Sequence, residues 1–190
     1  MKNTLTAIVV GAAALAVSPA SFAQGYAGVG VGPSRIDINC AGATICDKTD
    51  IGFKLYGGWH LVGPFAVEVA YFDWGKANLT STPGGGTFAL DTKARGIGIG
   101  AAYFLNFGWG QCAFRAGIAS NRARTTTVLN GVGANNSYTY TAPTYGAGCA
   151  YPFAPSWWLT GEADFSRVKY TGSDKANVQL FTLGIRHSFP

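Results

Sequence analysis

The sequence predicts an all-β protein: an eight-stranded antiparallel up-and-down barrel that crosses a membrane on its strands. Three observations carry this reading. The 190-residue chain is apolar and poorly charged, 48% hydrophobic and 12% charged, where a soluble domain carries about 25% charged residues. Segments of roughly ten residues, apolar at every second position, recur to the end of the chain. The connectors between them alternate between tight turns and longer polar stretches, as in membrane barrels.

The opening stretch, MKNTLTAIVVGAAALAVSPASFAQ, has an early charge at Lys2, an apolar run from Leu5 to Val17 and the small-residue end Ser21-Phe22-Ala23. This is the pattern of a secretory leader over residues 1–23, leaving a barrel domain over residues 24–190. The run is shorter than the roughly 20 residues a spanning helix needs. No later stretch approaches that continuous apolar length, so strands are left to carry the apolar surface to lipid.

The strands follow in order. YAGVGVG sets Ala27, Val29 and Val31 against Gly28, Gly30 and Gly32; IGFKLYGGWHL sets Phe53, Leu55, Trp59 and Leu61 against Lys54, Tyr56, Gly58 and His60. PFAVEVAYFDW alternates Phe65, Val67, Val69 and Tyr71 with Ala66, Glu68 and Ala70. ARGIGIGAAYFL alternates Ile97, Ile99, Ala101, Tyr103 and Leu105 with Gly96, Gly98, Gly100 and Ala102, and CAFRAGIASN places Phe114, Ala116 and Ile118 against Arg115, Gly117 and Ala119. APTYGAGCAY, WWLTGEADFS and the terminal NVQLFTLGIRHSFP complete eight segments. In the last, Phe181, Leu183, Ile185, His187 and Phe189 share one face, with Thr182, Gly184, Arg186 and Ser188 on the other.

LVGP, NFGWG and PFAPS are tight turns, and the stretches near 35–50, 76–91, 124–138 and 169–176 are long and polar. Trp59, Phe65, Tyr103, Trp109, Tyr151, Phe153, Trp157 and Phe189 all fall beside the short turns, as an interfacial aromatic girdle would. The large residues therefore face lipid and the small or polar ones a narrow interior. A soluble ligand-binding barrel would instead put Lys54, Glu68, Arg115, Glu162 and Arg186 on its outside in mid-strand.

YAGVGVGPSRID, GFKLYGGWHL, PFAVEVAYFDWG, FRAGIA, PTYGAGCAY and ANVQLFTLGIRHSF together resemble the small outer-membrane β-barrel family typified by the OmpA transmembrane domain. The resemblance spans nearly all of the chain after the leader. It implies residence in the bacterial outer membrane of a Gram-negative cell, among lipid and lipopolysaccharide. It also implies recognition of the C-terminal strand by the barrel-insertion machinery. The family's terminal strand closes on Phe; here Pro190 follows Phe189, a departure from the pattern.

Lys54, Glu68, Arg115 and Glu162 lie on the inward face about six to eight residues from a short turn and are expected to meet at one depth, with Arg186 lower. Charges in so narrow an interior must pair. The plain reading is an ion-pair plug; the resemblance also suggests a gate whose partners switch to pass small ions. An eight-stranded barrel is filled by side chains, so a wide pore is not expected. The glycine series at 28, 30, 32 and 96, 98, 100 lacks the spacing and following helix of a phosphate cradle and reads as room for bulky inward neighbours.

His60 and His187 are the two histidines, both near short turns, and His187 and Ser188 point to opposite faces. No catalytic pair, cofactor site or metal site follows from them. Basic residues gather at the long-loop end with acids such as Asp37, Asp50, Asp73, Asp91 and Asp164. Arg95, Arg122 and Arg124 there are candidates for contact with lipopolysaccharide phosphates.

Four cysteines in an exported chain read as disulfides. Cys40 and Cys46 lie in the first long loop, and Cys112 and Cys149 beside short turns on the other side. Cross-pairing would have to span roughly 25 Å of membrane, against the about 7 Å a disulfide tolerates between Cα atoms. Folding the fifth and sixth strands about the turn dipeptide Asn130-Gly131 sets Cys112 opposite Cys149.

The expected function is a structural or surface-interaction role, in envelope integrity, adhesion or contact with a host surface ligand, without enzymatic activity and without nucleic acid. The alternatives are an outer-membrane lipid-modifying enzyme and a narrow ion channel.

Overall fold

The computed structural model describes residues 24–82, 88–129, 132–172 and 174–189. The leader over 1–23, the Asn130-Gly131 dipeptide and Pro190 lie outside the described residues. The strands are β1 (Gly25–Ile36), β2 (Ile45–Asp47), β3 (Thr49–Val62), β4 (Phe65–Ser81), β5 (Phe88–Phe107), β6 (Gly110–Leu129), β7 (Val132–Ala154), β8 (Trp157–Lys169) and β9 (Lys175–Ser188). Eight of them form a closed antiparallel ring, β1-β3-β4-β5-β6-β7-β8-β9. It closes where β1 meets β9, from Tyr26 opposite Ser188 to Ile36 opposite Val178. Closure leaves no sheet edge within the lipid layer, which is the condition for strands to cross it.

The alternation in sequence is the wall of the barrel. Leu55, Ile97, Ile99, Ile118, Leu159 and Leu183 all point outward, Leu183 with 72% of its surface open. Outward apolar side chains of this kind would be a solubility liability in water and are what a lipid-facing band requires. All eight girdle aromatics named from the sequence are on this outer face, including Trp59, Trp109 and Tyr151.

Inside, the small residues opposite make the space. A Cβ on Gly28 would collide with the ring of Tyr56, and one on Gly58 with the ring of Tyr26. Both tyrosines are buried in the interior. The glycine series is thus a consequence of packing large side chains into a narrow tube.

The structure corrects the reading of the long connectors. β4 runs on through Ser81, β5 starts at Phe88, β6 continues to Leu129 and β7 starts at Val132. Most of the stretches 76–91 and 124–138 is therefore paired strand. Their Thr, Val and Tyr residues favour extended backbone, and pairing satisfies that backbone beyond the membrane. Lys93 opposite Arg124 and Thr127 opposite Ala134 are rungs of this extension. A ninth strand, β2, was not legible: three residues of the first loop pair with β4, Cys46 opposite Leu79.

Candidate functional site

The interior is built in three storeys. The middle one is ionic. Lys54 on β3 is fully buried and its Nζ lies 3.0 Å from Glu162 Oε2, 3.0 Å from Asp164 Oδ1 and 3.9 Å from Glu68 Oε1. Arg115 on β6 bridges the same acids, donating from Nε to Glu68 Oε2 at 3.0 Å and from Nη2 to Glu162 Oε1 at 2.9 Å. The Tyr26 hydroxyl donates to Glu68 Oε2 at 3.1 Å. Lys54 also sits over the Tyr56 ring, 4.7 Å from its centroid.

The local sequence explains why these side chains can coexist. Each inward charge is paired across a strand with a glycine: Lys54 with Gly30, Glu68 with Gly58 and Gly100, Arg115 with Gly146, Glu162 with Gly148 and Arg186 with Gly28. The missing side chains give the long charged ones room to reach their partners. Since a buried charge without a partner is costly, the layer holds as a unit.

Asp164 is the member that sequence reading misplaced. It was grouped with the acids of the long-loop rim, but it is 3% exposed and bonded to Lys54 at 3.0 and 3.1 Å. The signal was present: Thr160, Glu162, Asp164 and Ser166 occur at period two and all four are buried. Asp73 is at the long-loop end and is buried beneath Arg95, at 3.0 Å, and Lys93, at 3.6 Å.

Arg186 lies in the lower storey, toward the short turns. Its guanidinium packs 5.0 Å from the Trp158 ring centroid and 5.6 Å from those of Tyr26 and Phe104. Its Nη2 donates to Gln111 Oε1 at 2.8 Å. His60 packs in this storey, 4.7 Å from Phe104, whereas His187 is on the outer face, 4.6 Å from Trp157 and 4.8 Å from Phe189.

The upper storey is apolar. Ile36, Trp74, Val168, Val178 and Leu180 are each 0% exposed. Trp74 stacks on Phe72 and donates from Nε1 to Asn121 Oδ1 at 3.1 Å. The cavity beside Glu68, Arg115 and Asp164 holds about 30 Å³, roughly one water. The ionic layer with this lid closes the middle and upper parts of the barrel.

On the outer face above the apolar band, Lys93 and Arg95 of β5 stand opposite Arg124 and Arg122 of β6. With Tyr71 they line an open recess of about 370 Å³. Arg122 Nε donates to Ser137 Oγ at 2.7 Å. The carboxylate of Asp73 pairs with two of these four cations, Arg95 and Lys93, at the distances given above. The cysteines are paired as Cys40 with Cys46, Cα atoms 6.0 Å apart, and Cys112 with Cys149, 3.9 Å apart. Cys112 and Cys149 are also directly opposite in the β6–β7 register.

A closed eight-stranded ring with a greasy outer band, an aromatic girdle at its short-turn end and a filled interior defines a transmembrane β-barrel of the bacterial outer membrane. Residues 4–189 match the outer membrane protein beta-barrel domain, and the chain belongs to that family. Among solved structures it is similar to Neisserial surface protein A, with 16% identity and a TM-score of 0.60 over 87% of this chain and 97% of that one. It is also similar to Ail, the attachment invasion locus protein of Yersinia pestis, in complex with the heparin analogue sucrose octasulfate. That match has 17% identity and a TM-score of 0.56 over 88% of this chain and 99% of that one. The N-terminal β-barrel domain of Pseudomonas aeruginosa OprF matches with 12% identity and a TM-score of 0.51, over 88% and 97%. At such identities the likeness is one of fold. No curated protein matches the sequence.

Proposed function

We propose that the protein works on its outside: a non-enzymatic outer-membrane barrel whose face at the long-loop end contacts anionic groups, foremost the phosphates of lipopolysaccharide. The observation that carries this reading is the basic quartet on β5 and β6. Lys93 opposite Arg124 and Arg95 opposite Arg122 are two directly opposed like-charge pairs, which destabilise a sheet by themselves. Asp73 offsets one charge. An anion seated among the remaining cations would convert the repulsion into charge-assisted hydrogen bonds. The quartet lies just above Ile97 and Ile99, both outward-facing, so an amphiphile with phosphate above and acyl chains below fits the surface.

The strand extensions beyond the membrane give the same end a polar surface for a host ligand. The complex of Ail with a heparin analogue makes a sulfated glycan a reasonable second anion to try. The test is binding of the detergent-folded protein to lipopolysaccharide before and after enzymatic dephosphorylation. Wild-type protein is expected to bind the phosphorylated form more tightly. Joint replacement of Arg95, Arg122 and Arg124 by Gln should abolish that preference without altering heat-resistant migration on gels. Equal binding of both forms by wild type would overturn the reading.

A further inference from the structure

The opposite mouth of the barrel carries a different chemistry. The geometry points to a carboxylate-binding site at the short-turn end, centred on Arg186 and gated by Gln111. Arg186 is 4% exposed, and its Nε has no hydrogen-bond partner among the described residues. No ion pair of the described residues includes it; its neighbours are the rings of Tyr26, Phe104 and Trp158 and the Gln111 oxygen. Gln111 in turn donates from Nε2 to Asn106 Oδ1 at 2.8 Å. Gln111, Asn106, His60, Gln24 and Phe104 line a cavity of about 580 Å³ open at this mouth; Arg186 does not line it and is reached through Gln111, which it holds by Nη2.

Charge distribution over the whole chain supports an anionic guest. Of the nine Asp and Glu residues, Glu68, Glu162 and Asp164 are in the ionic storey. Asp37, Asp47, Asp50, Asp73, Asp91 and Asp174 are at the long-loop end. The short-turn end therefore holds no side-chain carboxylate, and its basic side chains are Arg186 and the two histidines. The surplus acid of the ionic storey, three carboxylates against Lys54 and Arg115, balances Arg186 only at a distance, across Tyr26. It supplies no hydrogen bond to the free Nε.

The guest's class follows from the donor geometry. Nε and Nη2 form one edge of the guanidinium, the edge that grips a planar carboxylate through two parallel hydrogen bonds. Gln111 Oε1 now holds Nη2. A carboxylate entering from the cavity displaces it and takes both N–H groups, while the released Gln111 and Asn106 amides remain as further donors at the mouth. The source is either a small free carboxylate or the terminal carboxylate of a peptide on the periplasmic side.

The mature chain, folded in zwitterionic detergent, can be titrated with acetate, with N-acetyl-dialanine and with its C-terminal amide. The Arg186 Nε–H resonance and Trp158 emission report on the site. Both carboxylates are expected to shift the signals saturably while the amide does not. A stronger response to the dipeptide assigns a peptide terminus, and an equal response a free-ion site. Arg186→Lys, which keeps the charge but loses the two-pronged edge, should bind about tenfold more weakly. Gln111→Ala, which leaves Arg186 in place and opens the approach, should bind more tightly. If the amide acts as well as the acid, or if neither wild type nor Gln111→Ala responds to carboxylate, Arg186 is a packing residue and the site does not exist.

Discussion

At the scale of single residues, the barrel's interior is a set of charges that stand or fall together. Glu68 meets Arg115, Lys54 and Tyr26, so Glu68→Ala leaves buried donors unpaired. It is expected to destabilise the folded barrel by about 3–5 kcal/mol, read as a lower midpoint in urea with unchanged slope. Unchanged stability would mean that water enters the layer freely. Outside the membrane the balance is weaker and pH-sensitive. Asp37 accepts a hydrogen bond from Lys48 Nζ at 3.0 Å, and this bond holds its carboxyl below the ordinary 3.8. A lowered carboxylate pKa stabilises the folded loop above the unfolded value and loses that contribution as pH falls through the folded one. Proteolytic protection of the first long loop should therefore drop below pH 3.8 and weaken with salt. Protection unchanged at low pH would assign the loop's order to the Cys40–Cys46 link instead.

At the scale of strands and hairpins, β6 and β7 form a long unbroken ladder, from Gln111 opposite Ala150 to Leu129 opposite Val132. The Cys112–Cys149 link closes the base of that hairpin across 37 residues, a loop for which chain entropy alone gives about 4 kcal/mol. Non-reducing peptide mapping should recover this pair and Cys40–Cys46, and replacing Cys112 and Cys149 by Ala should lower stability on that order. A recovered Cys40–Cys112 peptide would contradict the strand order itself. How far these elements were legible depends on what fixes them. The eight membrane strands are written in the sequence because lipid on one side and a narrow lumen on the other enforce period two. The extensions of β4 to β7 were hidden because water on both faces removes that constraint, and TTTVL or SYTYT then reads equally well as loop. Asp164 was misjudged for a related reason: its distance along the chain from a loop was weighed above its phase, whereas phase decides which face a strand residue takes.

At the scale of the whole molecule, the apolar face is turned outward and the charged one inward, the reverse of a soluble barrel. Folding in detergent should consequently give a species that resists unfolding without heat and migrates differently on heated and unheated gels; recovery as a soluble periplasmic monomer would contradict the membrane assignment. The filled interior has a further consequence. Side chains from all eight barrel strands line the interior, Ile36, Trp74, Val168, Val178 and Leu180 close the upper end, and the ionic layer closes the middle. The proposed contacts with other molecules accordingly lie on the outer face and at the two ends. Conductance of the reconstituted barrel across a planar lipid bilayer tests this most directly. The account expects no current steps above those of the bare bilayer for wild type. Steady, well-resolved conductance through the wild-type protein would contradict it.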